Sequence, residues 1–205
     1  MNKIYEVKTI EEAYDLAKND FHFPIDELKF EVLSEKKGFL GIGSKLEVQA
    51  SLAVDPFTKG KEYLQVILAA NNINAVIEKK VRDDVVEYDI EAGDENGYLI
   101  GKRSRSLIAM QILVSHYVNR YFIDSDKQIS VLVDVGEYKK KRVRYLERLA
   151  IQFGKQVAKT KQKIKLDYLN AYERKIVHSK LATWDDIKTY SEGEEPNRFL
   201  IIEPK

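Results

Sequence analysis

Two stretches of this chain carry apolar side chains at every second position, and each runs up to a breaker. Leu46, Val48, Ala50 and Leu52 alternate with Lys45, Glu47, Gln49 and Ser51, and Asp55-Pro56 soon follows. Ile129, Val131, Val133 and Val135 alternate in the same way, and Gly136 comes next. A period of two marks a strand with one buried face, and proline or glycine just beyond it closes a segment. The 205 residues therefore read as three small domains, 1–54, 55–135 and 136–205. Strands and helices are mixed in each, so the expected fold class is α+β.

The first block reads β-α-β-β. Lys3–Val7 is a short strand, and Thr9 is placed to cap a helix with Glu12 as its capping-box partner. Ile10, Ala13, Ala17 and Phe21 form the helix's apolar stripe, and Pro24 prevents its continuation. Leu28–Leu33 and the alternating stretch give two more strands. The second block reads α-β-β-α-α-β. A helix carries Leu64, Ile67 and Leu68, and a hairpin turns near Arg82-Asp83-Asp84. A short helix ends near Ile100, a longer one carries Leu107, Met110, Val114, Tyr117 and Tyr121, and the strand to Val135 closes the block. In the third block, helices pack on a small sheet. A helix from Lys139 to Thr160 presents Leu146, Leu149, Ala150, Phe153 and Val157 on one stripe. Asn170 caps a second helix with Glu173 at the capping-box position, and two short strands follow near Ile187–Tyr190 and Phe199–Ile202.

Net charge is only +1, but it is unevenly spread. Residues 137–180 hold 14 basic and 4 acidic side chains, a net of +10. Lys139, Lys140, Lys141, Arg142, Arg144 and Arg148 crowd the first half of the long helix. That run is too one-sided for i,i+4 pairs to balance it, so it reads as a surface that faces phosphate and steers a polyanion. A solvated helix face is the plainer alternative.

No cysteine is present, which fits a reducing compartment. The first residues lack the apolar run of a signal peptide, and no stretch approaches the roughly 20 apolar residues of a membrane span. A cytoplasmic chain with no integral membrane segment is the expectation. His22, His116 and His178 form no metal-ligand cluster. Gly41-Ile42-Gly43-Ser44-Lys45 lacks the spacing of a P-loop and the third glycine of a dinucleotide fingerprint. No catalytic set, metal or cofactor is expected, and the chain reads as a non-enzyme.

Two constellations point instead to nucleic acid. Ile100-Gly101-Lys102-Arg103-Ser104-Arg105 joins two helices. Glycine allows a sharp turn and close approach of a ligand, while a helix N-terminus and added cations favour phosphate. Such a turn can clamp a backbone while a neighbouring apolar groove takes unstacked bases. An ordinary αα-turn is the alternative. In the last block, Asn170, Arg174 and His178 share one helix face, with Lys175 beside them. Arginine and histidine four residues apart can share one phosphate.

The element order around Gly101-Lys102-Arg103 resembles a type II KH domain, whose turn is Gly-X-X-Gly; the sequence departs at Ser104, where the family has glycine and where serine could cap the next helix. Arg174-X-X-X-His178 on a helix resembles the single-stranded nucleic-acid-binding domain named for that spacing. The stretches Leu169–His178 and Thr189–Pro196, and the loop from Lys36 to Gly43, are similar to the bacterial Jag family, also known as KhpB or EloR. The resemblance covers nearly the whole chain in the order Jag-N, KH, Arg-X-X-X-His domain. It implies a cytoplasmic single-stranded RNA-binding regulator linked to cell elongation, division or envelope biogenesis. It leaves single-stranded DNA, a homodimer and a second small KH protein open as partners. Many members have a long linker after the first domain, whereas Leu52 to Pro56 joins the two almost directly here. Linking two weak RNA sites would raise effective concentration. The competing reading is an adaptor for protein partners near the membrane-insertion or cell-wall machinery. Lys36, Lys37 and Phe39 could then contact RNA or protein, or simply belong to a tight hairpin.

Overall fold

The computed structural model describes residues 2–36 and 45–205. The fold is α+β and divides into two compact units, Met1–Gly136 and Glu137–Lys205.

The first unit opens with β1 (Asn2–Val7), α1 (Ile10–Asp20), β2 (Leu28–Lys36) and β3 (Lys45–Leu52). The strands pair antiparallel in the order β1-β3-β2. Register sets Tyr5 opposite Val48 and Phe30 opposite Ala50, so the alternating apolar residues of β3 all point one way. Ala13 and Ala17 of α1 are fully buried in the same core. Thr9 caps α1 by accepting from the Glu12 N–H at 3.3 Å. The expected capping box stays incomplete, because the Glu12 carboxylate accepts from the Lys8 N–H at 2.8 Å. The helix ends at Asp20, ahead of Pro24.

The unit continues with α2 (Pro56–Ala70), β4 (Val76–Arg82), β5 (Val85–Glu91), α3 (Asn96–Ile100), α4 (Arg105–Asn119) and β6 (Ser130–Val135). Asp55 caps α2, accepting from the N–H groups of Phe57 and Thr58, each at 3.1 Å. Strand β5 pairs antiparallel with β4 and parallel with β6. A parallel pair needs a long crossover, and α3 and α4 supply it. This is the anticipated α-β-β-α-α-β order, and Ile129, Val131, Val133 and Val135 are all buried.

Both sheets of this unit share packing. Phe23 lies 4.9 Å, centroid to centroid, from Tyr121, and Tyr121 belongs to the core of the β1-β3-β2 block. Glu27 is buried there; its Oε2 accepts from the Tyr121 hydroxyl at 2.8 Å and from Arg120 Nη2 at 3.4 Å. The short Leu52–Pro56 connection is thus matched by a polar and aromatic seam.

The second unit contains α5 (Tyr138–Thr160), β7 (Ile164–Lys165), α6 (Ala171–Leu181), β8 (Ile187–Glu192) and β9 (Phe199–Pro204). Its antiparallel sheet has the order β7-β9-β8. Leu146, Ala150 and Val157 of α5 pack with Val177 and Leu181 of α6, Ile187 and Ile202, and Trp184 covers them. Gly154 permits the close helix approach, since a Cβ there would stand 2.9 Å from Leu181 Cδ2. Strand β7 was not anticipated; two residues are too few for a period to show. Among the described residues, no helix is long and apolar enough to cross a membrane.

Candidate nucleic-acid interface

Gly101 sits between α3 and α4 at φ 69°, ψ 172°, a region that only glycine enters without strain. Its N–H bonds to the Gly97 carbonyl at 3.0 Å, and its carbonyl accepts from the Ser104 N–H at 3.1 Å. A Cβ on Gly101 would collide with Ser106 Oγ and stand 3.2 Å from Ser106 N. Arg103 and Ser104 follow with φ of 57° and 60°. Three of the four turn residues are therefore left-handed, which curls the main chain sharply. Ser104 itself sits in the left-handed region, φ 60°, ψ 20°, that favours glycine. It does not act as the anticipated cap, for its side chain makes no capping bond to α4.

The turn displays its charge outward. Lys102, Arg103 and Arg105 are exposed, Ile100 is half-buried, and Leu99 anchors α3 in the core. Lys102 and Arg105 have no carboxylate partner among the described residues. On α4, Arg105, Ile108 and Ile112 share one stripe, and both isoleucines are about half exposed. Cations at the turn thus lead into an exposed apolar stripe.

In the second unit, Asn170 Oδ1 accepts from the Glu173 N–H at 2.9 Å, and Glu173 Oε2 accepts from the Asn170 N–H at 3.0 Å. The expected capping box is complete. It also engages Asn170, which sequence placed among the phosphate-facing residues. Arg174 requires a larger correction. It is buried, its Nη1 donates to the Leu169 carbonyl at 2.7 Å, and its Nη2 meets Glu195 Oε1 at 2.5 Å. The expected open fork for phosphate is instead a brace between the start of α6 and the β8–β9 connection. The reason is angular: Arg174 falls on the same side of α6 as Val177 and Leu181, which face the core.

His178 and Lys175 are exposed one turn apart. His178 Nδ1 lies 2.5 Å from Thr189 Oγ1 on β8, which orients the ring. With Arg174, Tyr190, Ser191 and Arg198 they line an open cleft of about 450 Å³. Lys175 and Arg198 have no carboxylate partner among the described residues. Tyr190 donates to Glu203 Oε2 at 2.9 Å. Hydrogen bonding to that carboxylate raises the Tyr190 pKa, and the bonds from Lys188 and Tyr190 hold Glu203 below the ordinary value. Tyr190 borders the cleft from its strand, but its ring lies on the sheet face away from α6, since it alternates with Thr189 along β8 and its hydroxyl reaches Glu203 beside Lys188. Sequence reasoning did not place Tyr190, Ser191 and Arg198 in the site, although Tyr190 and Ser191 belong to the family-like stretch Thr189–Pro196; Arg198 just precedes β9 and carried no signal of its own.

The basic run of α5 is divided. Arg142 Nε donates to Glu173 Oε1 at 2.7 Å. Burial pulls its pKa down, but the bond to Glu173 together with the charge of Glu173 and the neighbouring Tyr138 and Tyr145 leaves it raised. Lys140 pairs with Glu137 at 3.6 Å. These two are turned to neighbouring carboxylates, which corrects the reading of the whole run as one phosphate-facing surface. Lys139 is exposed in the first turn. Lys141, Arg144 and Arg148 lie on one stripe, exposed, beside a second cleft. Of the N-terminal candidates, Lys36 is the exposed last residue of β2; Lys37 and Phe39 lie outside the described residues. Among those described, no group of acids and histidines could hold a metal ion.

Fold and site together define a multi-domain α+β protein that carries an Arg-X-X-X-His module behind a βααβ unit with a glycine-led basic turn. Residues 144–204 match the family model of the R₃H domain, and residues 5–52 match that of the Jag N-terminus. A protein of Clostridium symbiosum named RNA-binding protein KhpB is 35% identical over 201 residues, covering 97% of this chain and 89% of its own. The protein of that name in Bacillus subtilis (strain 168) is 35% identical over 203 residues, covering 97% and 96%. A third, from Streptococcus pneumoniae serotype 2 (strain D39), is 27% identical over 160 residues, covering 77% of this chain and 47% of its own. The chain belongs to the Jag/KhpB family.

Proposed function

We propose that this protein binds single-stranded RNA at two places, the Gly101–Arg105 turn and the α6 cleft, and catalyses no reaction. The observation that carries this reading is the α6 cleft: Lys175, Arg198 and an oriented His178 converge on one concavity. Cations there suit phosphate. The relatives' name, RNA-binding protein, supports the choice of nucleic acid. The turn adds Lys102, Arg103 and Arg105 ahead of an apolar stripe, as expected of a KH-type grip. In this reading residues 1–54, 55–135 and 136–205 are Jag-N, KH and Arg-X-X-X-His domains. The protein acts as a cytoplasmic post-transcriptional regulator connected to elongation, division or envelope biogenesis.

A filter-binding titration with a single-stranded RNA, repeated across salt concentrations, tests it. Each lost phosphate contact should flatten the slope of log K against log salt by about 0.7. Lys102→Asp with Arg103→Asp, and separately Lys175→Glu with Arg198→Glu, should each weaken binding and flatten the slope by about 1.4. Unchanged affinity in both variants removes both places from the interface.

A protein partner suits the first sheet better than RNA does. Its outward face carries the exposed Ile4 among charges that cancel, with Glu6 paired to Lys45 and Glu31 to Lys29, so it offers phosphate no net attraction. Adaptor and RNA-binding roles are compatible within one chain.

A further inference from the structure

The second unit carries two clefts, and α6 separates them. His178, Lys175 and Arg174 line one. Lys180 borders the other, together with Lys141, Arg144, Glu147 and Arg148 of α5. At 3.6 residues per turn, Lys180 stands about 160° around the α6 axis from His178. The stripe between them, Val177 and Leu181, is buried. A strand lying along His178 therefore cannot also touch Lys180 without passing around a helix some 10 Å wide.

The second cleft has a strong and unbalanced charge. It holds four cations and one carboxylate, and that carboxylate, Glu147, already meets Lys180 at 3.4 Å. Lys141, Arg144 and Arg148 are exposed and have no ion-pair partner among the described residues. They repeat along α5 at steps of about 4.5 and 6 Å, in a row that can follow a run of phosphates. The cleft is concave, about 480 Å³, with Ile151 at its edge. A concave row of cations fits a strand; a flat lipid surface would reach its rim only.

We propose that the α5–α6 cleft is a second, separate single-stranded RNA site, so that the unit holds two RNA segments on opposite flanks of α6. The proposal rests on the RNA-binding reading above and deepens it. Its consequence is bridging: one unit can pin two distant segments of a transcript, or two transcripts.

The test counts short ligands on the full chain. A hexauridylate is titrated at low salt by calorimetry, and bound equivalents are compared. Arg144→Glu with Arg148→Glu should remove one equivalent and leave the remaining affinities within about twofold. Lys175→Glu with Arg198→Glu should remove a different one, and the losses should add when combined. Trp184 emission checks that the unit is folded, and Arg144→Gln with Arg148→Gln replaces the charge reversal if it is not. If wild type binds hexamers but the Arg144/Arg148 variants lose none, or both variant pairs lose the same equivalent, the second site is overturned alone. If wild type binds no hexamer, the RNA-binding reading falls with it. Vesicles containing phosphatidylserine provide the remaining arm. Arg144/Arg148-dependent sedimentation with unchanged hexamer counts would assign the cleft to membrane instead and overturn the proposal.

Discussion

Arg174 offers the sharpest separation of a structural role from a ligand-binding one. Its side chain is 7% exposed, while that of its partner Glu195 is 53% exposed. Replacing Arg174 with Met removes a charged hydrogen bond to the Leu169 carbonyl, worth about 1.5–3 kcal/mol. The half-exposed Glu195 pair adds only about 0.5–1 kcal/mol after screening. The expected loss is therefore about 3 kcal/mol for a unit of this size, whose total is roughly 3–10 kcal/mol. That should lower its melting temperature by about 12–24 °C. The chain's single tryptophan, Trp184, packs in the core of the second unit, so its fluorescence reports this unit selectively. Glu195→Gln should cost about 1 kcal/mol or less by the same measure. If Arg174→Met melts within about 2 °C of wild type and loses RNA binding, the brace is not what Arg174 does, and phosphate contact is.

Three further outcomes follow from the first unit. Gly60→Ala should destabilise it by about 1–3 kcal/mol, because a Cβ there would collide with the Tyr88 hydroxyl and stand 2.6 Å from Val118 Cγ2; a circular-dichroism melt matching wild type would contradict that packing. Ser104→Gly should relieve about 1 kcal/mol of left-handed strain and tighten RNA binding in a filter assay; weaker binding would mean the serine side chain itself contributes. Burial pushes the Asp55 carboxyl up, but hydrogen bonds from Lys79, Thr58 and Phe57 outweigh it and hold its pKa below the ordinary value. Its contribution is therefore full at neutral pH and is lost as pH falls below the ordinary aspartate range, so the stability gap between wild type and Asp55→Asn in urea titrations should shrink in acid.

Much of the fold could be read from the sequence because the signals were local. The alternation in β3 and β6, the caps at Asn170 and Thr9, and the breakers at Pro24 and Pro56 each act within a few residues. The Gly101 turn was legible for the same reason, since a glycine between two helical patterns marks where the chain can turn sharply. What escaped were features set by partners distant in sequence. Arg174 looked available because Glu195 lies 21 residues away. Ser191 and Arg198 entered the cleft only once β8 and β9 folded beside α6, and Glu27 met Tyr121 across 94 residues.

The basic run of α5 shows how geometry turns composition into specificity. Sequence presents Lys139 to Arg148 as one block of charge, but successive residues point 100° apart. Arg142 is thereby aimed at Glu173 and Lys140 back at Glu137, while Lys141, Arg144 and Arg148 gather on the flank turned away from Arg142. Arg144 and Arg148 are four residues apart, a like-charge spacing that destabilises a helix by about 0.2–0.5 kcal/mol. Solubility alone would be served by mixing signs along that flank. Instead the carboxylates sit where they hold the helices together, and the cations left over face one concavity. Their mutual repulsion is relieved when a polyanion lies among them, so the arrangement that weakens the free helix is the one that strengthens the complex.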